Sequence, residues 1–276
     1  RYDRPQAGRY REHHQFGVEV IGDSDPMVDM EVIQIGWDLM AALGLEGLSL
    51  SVNSIGDKAC RPGYIKALRR YYEEHYGQLC KDCTQRLGQN PLRVLDCKQA
   101  SCVPLQDMAP ASTDHLCDEC QLHWNRLCNY LKIAEIPFQV DHKLVRGLDY
   151  YTRMVFEITP PEEGAQSTIL GGGRYDGLIE ELGGRSIPGV GFATGMERLI
   201  LNIERQGIDV IKDEGPRYFL ASMDEKSSEL AVRLGRKIRQ SGHSATQGQL
   251  GRSLRGQMRT ANTLNARRVI IIGENE

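Results

Sequence analysis

No stretch of the 276 residues approaches the ~18 uncharged apolar side chains that a membrane-spanning helix needs. The first twenty residues carry arginine, aspartate and glutamate where a secretory leader would be apolar, so no signal peptide and a cytoplasmic location are expected. Composition argues against disorder: 40% hydrophobic and 26% charged residues fit a globular chain of one to three domains. Two common nucleotide fingerprints are also missing. The glycine-rich stretches at residues 171–177 and 188–195 match neither a Walker loop nor a dinucleotide-binding turn.

Net charge is small overall but unevenly spread. The formal net charge is −3, yet residues 217–276 hold 11 Lys and Arg against 5 Asp and Glu, a net +6 that leaves −9 for the rest. A basic C-terminal segment suits a polyanionic partner. The chain starts on Arg1 rather than methionine, and an N-terminal part is expected to precede it.

Cysteine is the unusual abundance. Six of eight (Cys80, Cys83, Cys97, Cys102, Cys117 and Cys120) fall within about forty residues. Without a secretory leader, metal binding or plain burial is favoured over disulfides. The spacing Cys80-x2-Cys83 and Cys117-x2-Cys120 nominates these four for a structural Zn2+, with Cys97 and Cys102 lying between them.

Residues 14–22 alternate so that Phe16, Val18 and Val20 share one face and Gln15, Gly17 and Glu19 the other, which predicts a strand. From Asp29 to Leu43, Met30, Ile33, Ile35, Leu39 and Leu43 follow at roughly helical spacing up to Gly44, a C-cap residue. Residues 48–52 alternate as a strand, and residues 64–76 and 114–131 return to helical period. In residues 151–158, Met154, Phe156 and Ile158 face one way while Tyr151, Arg153 and Glu157 face the other. Residues 188–199 read as a small-residue strand running into a helix. The C-terminal part reads as strand 217–221, helices 225–240 and 250–264, and strand 269–272, a cut-short α/β pattern.

The polar strand faces combine Arg1, Gln15, Glu19, Arg146, Tyr151, Tyr175 and Arg198, with Arg198 in the first turn of a helix. That set suits a triphosphate or a carboxylate. In order along the chain, residues 1–19 (Arg1-Tyr2-Asp3-Arg4 through Gln15-Phe16-Gly17-Val18-Glu19) resemble motif 2 of the histidyl-tRNA synthetases, and residues 189–199 resemble motif 3 of the class II synthetases. Residues 144–152, with the run Arg146-Gly147-Leu148-Asp149-Tyr150-Tyr151, and residues 171–177 resemble two segments peculiar to the histidine family.

The resemblance implies an α+β fold, with an antiparallel class II catalytic sheet flanked by helices at residues 1–62 and 132–212. It implies a helical, cysteine-bearing insertion at 63–131 and a partial α/β anticodon-binding domain at 217–276. It implies a histidine–tRNA ligase using L-histidine, ATP, Mg2+ and tRNA(His), a homodimer at full length. The roles implied are Arg1 and Arg146 on opposite sides of the α-phosphate, Arg9 on the outer phosphates and Arg198 on the far side of the triphosphate. Gln15 would hold the carboxylate, Glu19 and Tyr151 the imidazole nitrogens, and Tyr150 and Tyr175 the pocket wall. Asp3 stands where the family usually has glutamate, which alters an adenine contact. The motif 1 segment and the end of the anticodon domain are expected outside the chain.

Arg252, Arg255 and Arg259 suit tRNA backbone contact or a solvated helix face. Two rivals share the catalytic fold: a non-catalytic regulatory subunit of ATP phosphoribosyltransferase, and a sensor domain that binds uncharged tRNA. The complete Arg146–Tyr151 run argues against the first, and the arginines of motifs 2 and 3 against the second.

Overall fold

A computed structural model describes residues 10–146, 150–161, 168–209 and 215–273. The chain divides into two units, Arg1–Asp209 and Val210–Glu276.

In the first unit the elements run β1 (Gln15–Ile21), α1 (Pro26–Ala42), β2 (Ser49–Ser54), α2 (Arg61–Glu74), α3 (Lys81–Gln89), α4 (Val103–Asp107) and α5 (Asp118–Ile133). There follow β3 (Gln139–Val140), β4 (Thr152–Thr159), β5 (Leu170–Arg174), α6 (Leu178–Glu181), β6 (Gly189–Gly195) and α7 (Met196–Arg205). The six strands form one sheet in the order β1-β6-β5-β4-β2-β3, antiparallel except for the short β2–β3 pair. This is the expected antiparallel sheet flanked by helices.

Local chemistry sets the ends of α1. Asp25 caps it by accepting from the Met27 N–H at 2.8 Å, Pro26 opens the first turn, and Gly44 follows the end at φ +79°. The expected alternation holds in β4: Met154, Phe156 and Ile158 are buried in the main core with Val32, Ile33 and Met40 of α1 and with Val190 and Phe192 of β6. Burying side chains of this size stabilises the fold by roughly 1.5–3 kcal/mol each.

Helix α5 departs from the expected layout. Trp124, Leu127 and Leu131 pack into this main core, so the last helix of the cysteine-bearing segment belongs to the layer that covers the six-stranded sheet. A separate small core, built on Tyr64, Leu68, Tyr72, Leu87, Val94, Leu95 and Leu105 with Cys83, Cys97 and Cys102, holds α2, α3 and α4 together. The helical period of residues 114–131 is the same whichever core receives it.

One buried charge network ties the layers. Arg174, at the end of β5, is fully buried and donates from Nε to Asp29 Oδ1 of α1 at 2.9 Å, with Nη2 on the same oxygen. Its Nη1 reaches Asp176 Oδ1 and the Asp23 carbonyl, each at 3.0 Å. His123 Nε2 of α5 lies 3.1 Å from the other Asp29 oxygen. Burial works against the guanidinium charge, but Asp29 and Asp176 outweigh it and raise the Arg174 pKa.

In the second unit, β7 (Tyr218–Ser222) lies between β8 (Ala245–Gln247) and β9 (Arg268–Ile272), all parallel, with α8 (Glu225–Gln240) and α9 (Leu254–Thr263) as crossovers. A capping box between Asp224 and Ser227 starts α8. Helix α9 starts later than its sequence period suggests, because Ser253 caps it; Arg252 precedes the helix, and Arg255 and Arg259 sit one turn apart on its exposed side. Strand β8 is only three residues long and leaves no readable alternation in the sequence.

Candidate active site

The polar face of the six-stranded sheet is floored with glycine. Cross-strand register sets two rows on that face, Glu157–Gly171–Ala193–Gly17 and Val155–Gly173–Gly191–Glu19. An added Cβ would lie 2.6 Å from the Arg146 guanidinium at Gly171, 2.8 Å from the Tyr151 ring at Gly173, 2.5 Å from the Tyr175 ring at Gly189 and 1.8 Å from the Glu19 carboxylate at Gly191. Four of the residues singled out in the sequence therefore lie directly over glycines, and any larger residue beneath them would push them out of place.

At one end of this floor, Arg146 Nη1 donates to Glu157 Oε1, and Glu157 Oε2 accepts from Thr168 Oγ1 at 2.7 Å. The Thr168 carbonyl in turn accepts from Arg198 Nη1 at 2.9 Å. The two guanidinium groups are thus fixed from one side by the same short segment, and Arg146 Nε is buried with no hydrogen-bond partner among the described residues. Gln15, Arg146 and Arg198 line a common cavity of about 310 Å³ with Thr168, Gly195 and Glu197. The first turn of α7 opens on it, and a helix N-terminus adds partial positive charge to that of the arginines.

His14 fastens the start of β1 to this helix: its N–H and Nδ1 lie 2.9 and 2.8 Å from Glu197 Oε1. That hydrogen bond raises the pKa of His14 and lowers that of Glu197.

At the other end, the Tyr175 hydroxyl donates to Glu19 Oε2. The Tyr150 ring lies 4.6 Å from that of Tyr151 and 6.0 Å, edge-on, from that of Tyr175. Burial first, then hydrogen bonding to Tyr151 and to Glu19 respectively, raises the pKa values of Tyr150 and Tyr175, so both stay hydroxyl donors at neutral pH. The carboxylate can accept from a ring N–H, and the hydroxyls of the tyrosine cluster beside it can serve a second nitrogen. Ile55, Leu144 and Val155 pack behind the tyrosines.

Gln15, Glu19, Arg146, Tyr150, Tyr151, Tyr175 and Arg198 all fall on or beside this face. Arg1 and Arg9 lie outside the described residues, as does Asp3. Two groups went unassigned in the sequence. Glu157 was legible as a polar-face residue, but only the register with Gly171 sets it under Arg146. Arg61 donates from Nη2 to the Tyr151 carbonyl and to the Gly56 carbonyl at 3.0 Å, holding the backbone of the tyrosine pair from below, and no sequence signal marks it.

The four cysteines nominated for one metal do not converge. Cys80 and Cys83 cluster with Cys97 and Cys102, while Cys117 and Cys120 cluster with Cys60 and Asp57; in each group the four ligand atoms lie within 4.8 Å of one another. The Cys80 thiol is drawn down to about 7, chiefly by the Cys83 N–H. Burial acts to raise the Asp57 carboxyl, but the Cys120 thiol and the N–H groups of Ala59 and Cys60 outweigh it and hold it below its usual range.

The sequence profile of the family described as histidyl-tRNA synthetase matches residues 1–62 and 65–199. A histidine–tRNA ligase of Dehalococcoides mccartyi is 52% identical over all 276 residues, and one of Symbiobacterium thermophilum is 49% identical over 278 aligned positions. The chain spans 66% and 64% of their lengths. The crystal structure of apo histidyl-tRNA synthetase from S. aureus superposes with a TM-score of 0.77 at 38% identity, covering 96% of this chain and 66% of that one.

Proposed function

Since the chain belongs to the histidyl-tRNA synthetase family, we propose that it carries the catalytic centre of a histidine–tRNA ligase. The observation that carries the reading is Arg146, seated on Gly171, clamped by Glu157 and sharing one cavity with Gln15 and Arg198, beside a carboxylate with a tyrosine cluster next to it.

The chemistry follows from where charge must go. In the first step the histidine carboxylate attacks the α-phosphorus of ATP in line, the bond to the β-phosphate oxygen breaks, and pyrophosphate leaves with the electron pair. Charge spreads over the phosphate oxygens, and fixed cations lower the barrier without reorganising. Arg146 supplies one of them, held in position before substrate arrives by Glu157 and the sheet floor. Arg198 and the N-terminus of α7 face the outer phosphates, and Gln15 donates to the amino-acid carboxylate. Arg1 and Arg9 are assigned by resemblance to the α-phosphate and the outer phosphates.

Glu19 accepts from an imidazole N–H once the Tyr175 hydroxyl yields, and the tyrosine hydroxyls satisfy the second nitrogen. An analogue without the ring N–H leaves the carboxylate unpaired and is rejected. In the second step a tRNA 3′-terminal hydroxyl attacks the carbonyl of the adenylate and AMP leaves. Mg2+ enters as part of the nucleotide substrate and neutralises its outer phosphates; Glu197, a carboxylate on the cavity wall, is an oxygen ligand of the right type. A structural Zn2+ in the insertion would serve folding and take no part in the transfer. The basic second unit contacts tRNA(His), and the full-length protein is a cytoplasmic homodimer.

The test is histidine-dependent pyrophosphate–ATP exchange in the full-length protein, with the other amino acids as controls. Exchange with histidine alone supports the reading. No exchange in folded full-length protein would overturn it in favour of the regulatory-subunit reading.

A further inference from the structure

Seven of the eight cysteines, with one aspartate, resolve into two groups of four ligand atoms, each group within 4.8 Å. A Zn–S bond of about 2.3 Å gives a tetrahedron whose edge is about 3.8 Å. The Cys80 and Cys97 sulfurs lie 3.8 Å apart. A disulfide would need about 2.05 Å, and all eight cysteines are free.

The backbone is arranged for thiolates. Cys80 and Cys83 occupy the N-cap and third positions of α3, and Cys117 and Cys120 the same two positions of α5; the N-cap residue of α2 is Cys60. A Cys-x2-Cys pair so placed turns both sulfurs toward one point and into the positive end of the helix dipole. Backbone N–H groups are aimed at sulfur as well: Cys80 N–H at Cys102 Sγ, 3.4 Å, and Asp57 N–H at Cys60 Sγ, 3.3 Å.

The insertion also needs fastening. Helices α3 and α4 are 9 and 5 residues long, too short to persist alone, and three of the eleven buried residues of the small core they share are cysteines. The second group stands at the root: Asp57 and Cys60 precede the insertion, Cys117 and Cys120 close it, and 56 residues lie between Cys60 and Cys117.

We propose that the protein binds two structural Zn2+ ions, one on Cys80, Cys83, Cys97 and Cys102 within the insertion, and one on Asp57, Cys60, Cys117 and Cys120 at its root. Four protein ligands leave no open position, so neither ion is catalytic. The first reinforces the small hydrophobic core that α2, α3 and α4 share. The second closes the loop of the insertion and fixes the turn that presents Arg61 to the Tyr151 backbone.

The test is zinc content per chain, by mass spectrometry of the metal, in protein produced with zinc and dialysed free of excess. Two equivalents are expected. The double variants Cys97→Ser/Cys102→Ser and Cys60→Ser/Cys117→Ser should each retain one. As a check independent of variant folding, the wild type treated with a mercurial thiol reagent should release two zinc ions to a chromogenic chelator. Folded wild-type protein that holds no zinc, and takes up none on titration, overturns the proposal. A double variant that keeps the full wild-type count overturns the site it was meant to remove.

Discussion

Adding one methyl group at Gly171 should disable the site while leaving the fold intact. The new Cβ would lie 2.6 Å from Arg146 Nη1 and 2.9 Å from its Cζ and Nη2, against a comfortable contact of about 3.5 Å, so the guanidinium must move by about 1 Å. The guanidinium is the mobile end of a long side chain and can move without disturbing the sheet. A shift of about 1 Å lengthens the Arg146–Glu157 ion pair without removing either charge, so its cost is on the order of 1 kcal/mol, below the roughly 3–5 kcal/mol of deleting one partner of a buried pair. The loss of glycine freedom in the unfolded chain offsets this by about 0.4–1 kcal/mol. Stability of Gly171→Ala in urea should therefore stay within about 1 kcal/mol of wild type. Exchange activity of the full-length variant should fall on the order of 10²-fold, the cost of misplacing a positioning group by 1 Å, or about 2.7 kcal/mol of barrier.

Gly172→Ala is the contrasting control. Its Cβ would meet the Gly191 carbonyl at 2.2 Å and Phe192 Cα at 2.8 Å, and backbone cannot step aside; this variant should lose stability first. Exchange by Gly171→Ala at close to the wild-type rate would refute the assignment of Arg146 to the reacting phosphate.

Glu19→Gln should raise the histidine concentration needed for half-maximal exchange by roughly tenfold or more, since a charged acceptor becomes a neutral one, and a wild-type value would count against contact with imidazole. Arg174→Met strands the buried Asp29 carboxylate and should cost about 3–5 kcal/mol in urea unfolding; a loss under about 1 kcal/mol would show that the network is structurally idle. Asp224 has its pKa lowered, first by the Ser227 N–H, so the stability it lends the start of α8 is present above its unfolded value of 3.8 and is lost as pH falls through the lower folded value. Amide exchange in the first turn of α8 should accelerate over that acid range, and Asp224→Asn should abolish the dependence; a variant with the same acid profile as wild type would refute it.

Much of the site was legible because its residues sit in strands. An alternation of period two assigns Gln15, Gly17 and Glu19 to one face and Phe16, Val18 and Val20 to the other without reference to any partner. For α1 the sequence reading found the Gly44 end but not the start, which Asp25 and Pro26 set by local chemistry ahead of the apolar period. What lay beyond reach were partners distant in sequence. Nothing near Arg174 announces that it is buried against Asp29, 145 residues away. Thr168, which bridges the two arginines, has no marked neighbours, and strand β8 is too short for any period.

The cysteines draw the line most clearly. Two Cys-x2-Cys pairs identical in spacing invite assignment to one metal, and each pair's local geometry, at the cap of a helix, does follow from the chain around it. Which other ligands each pair meets depends on how the turn after β2 returns to the start of α5 and how residues 97–102 fold back on α3, and these are closures over tens of residues. In the same way the sequence determined that glycines lie on the polar strand faces, because alternation is a property of the backbone. Only the register of β4, β5 and β6 decided that Gly171 lies under Arg146 and Gly191 under Glu19, since pairing between strands is fixed by the packing of the opposite, apolar face.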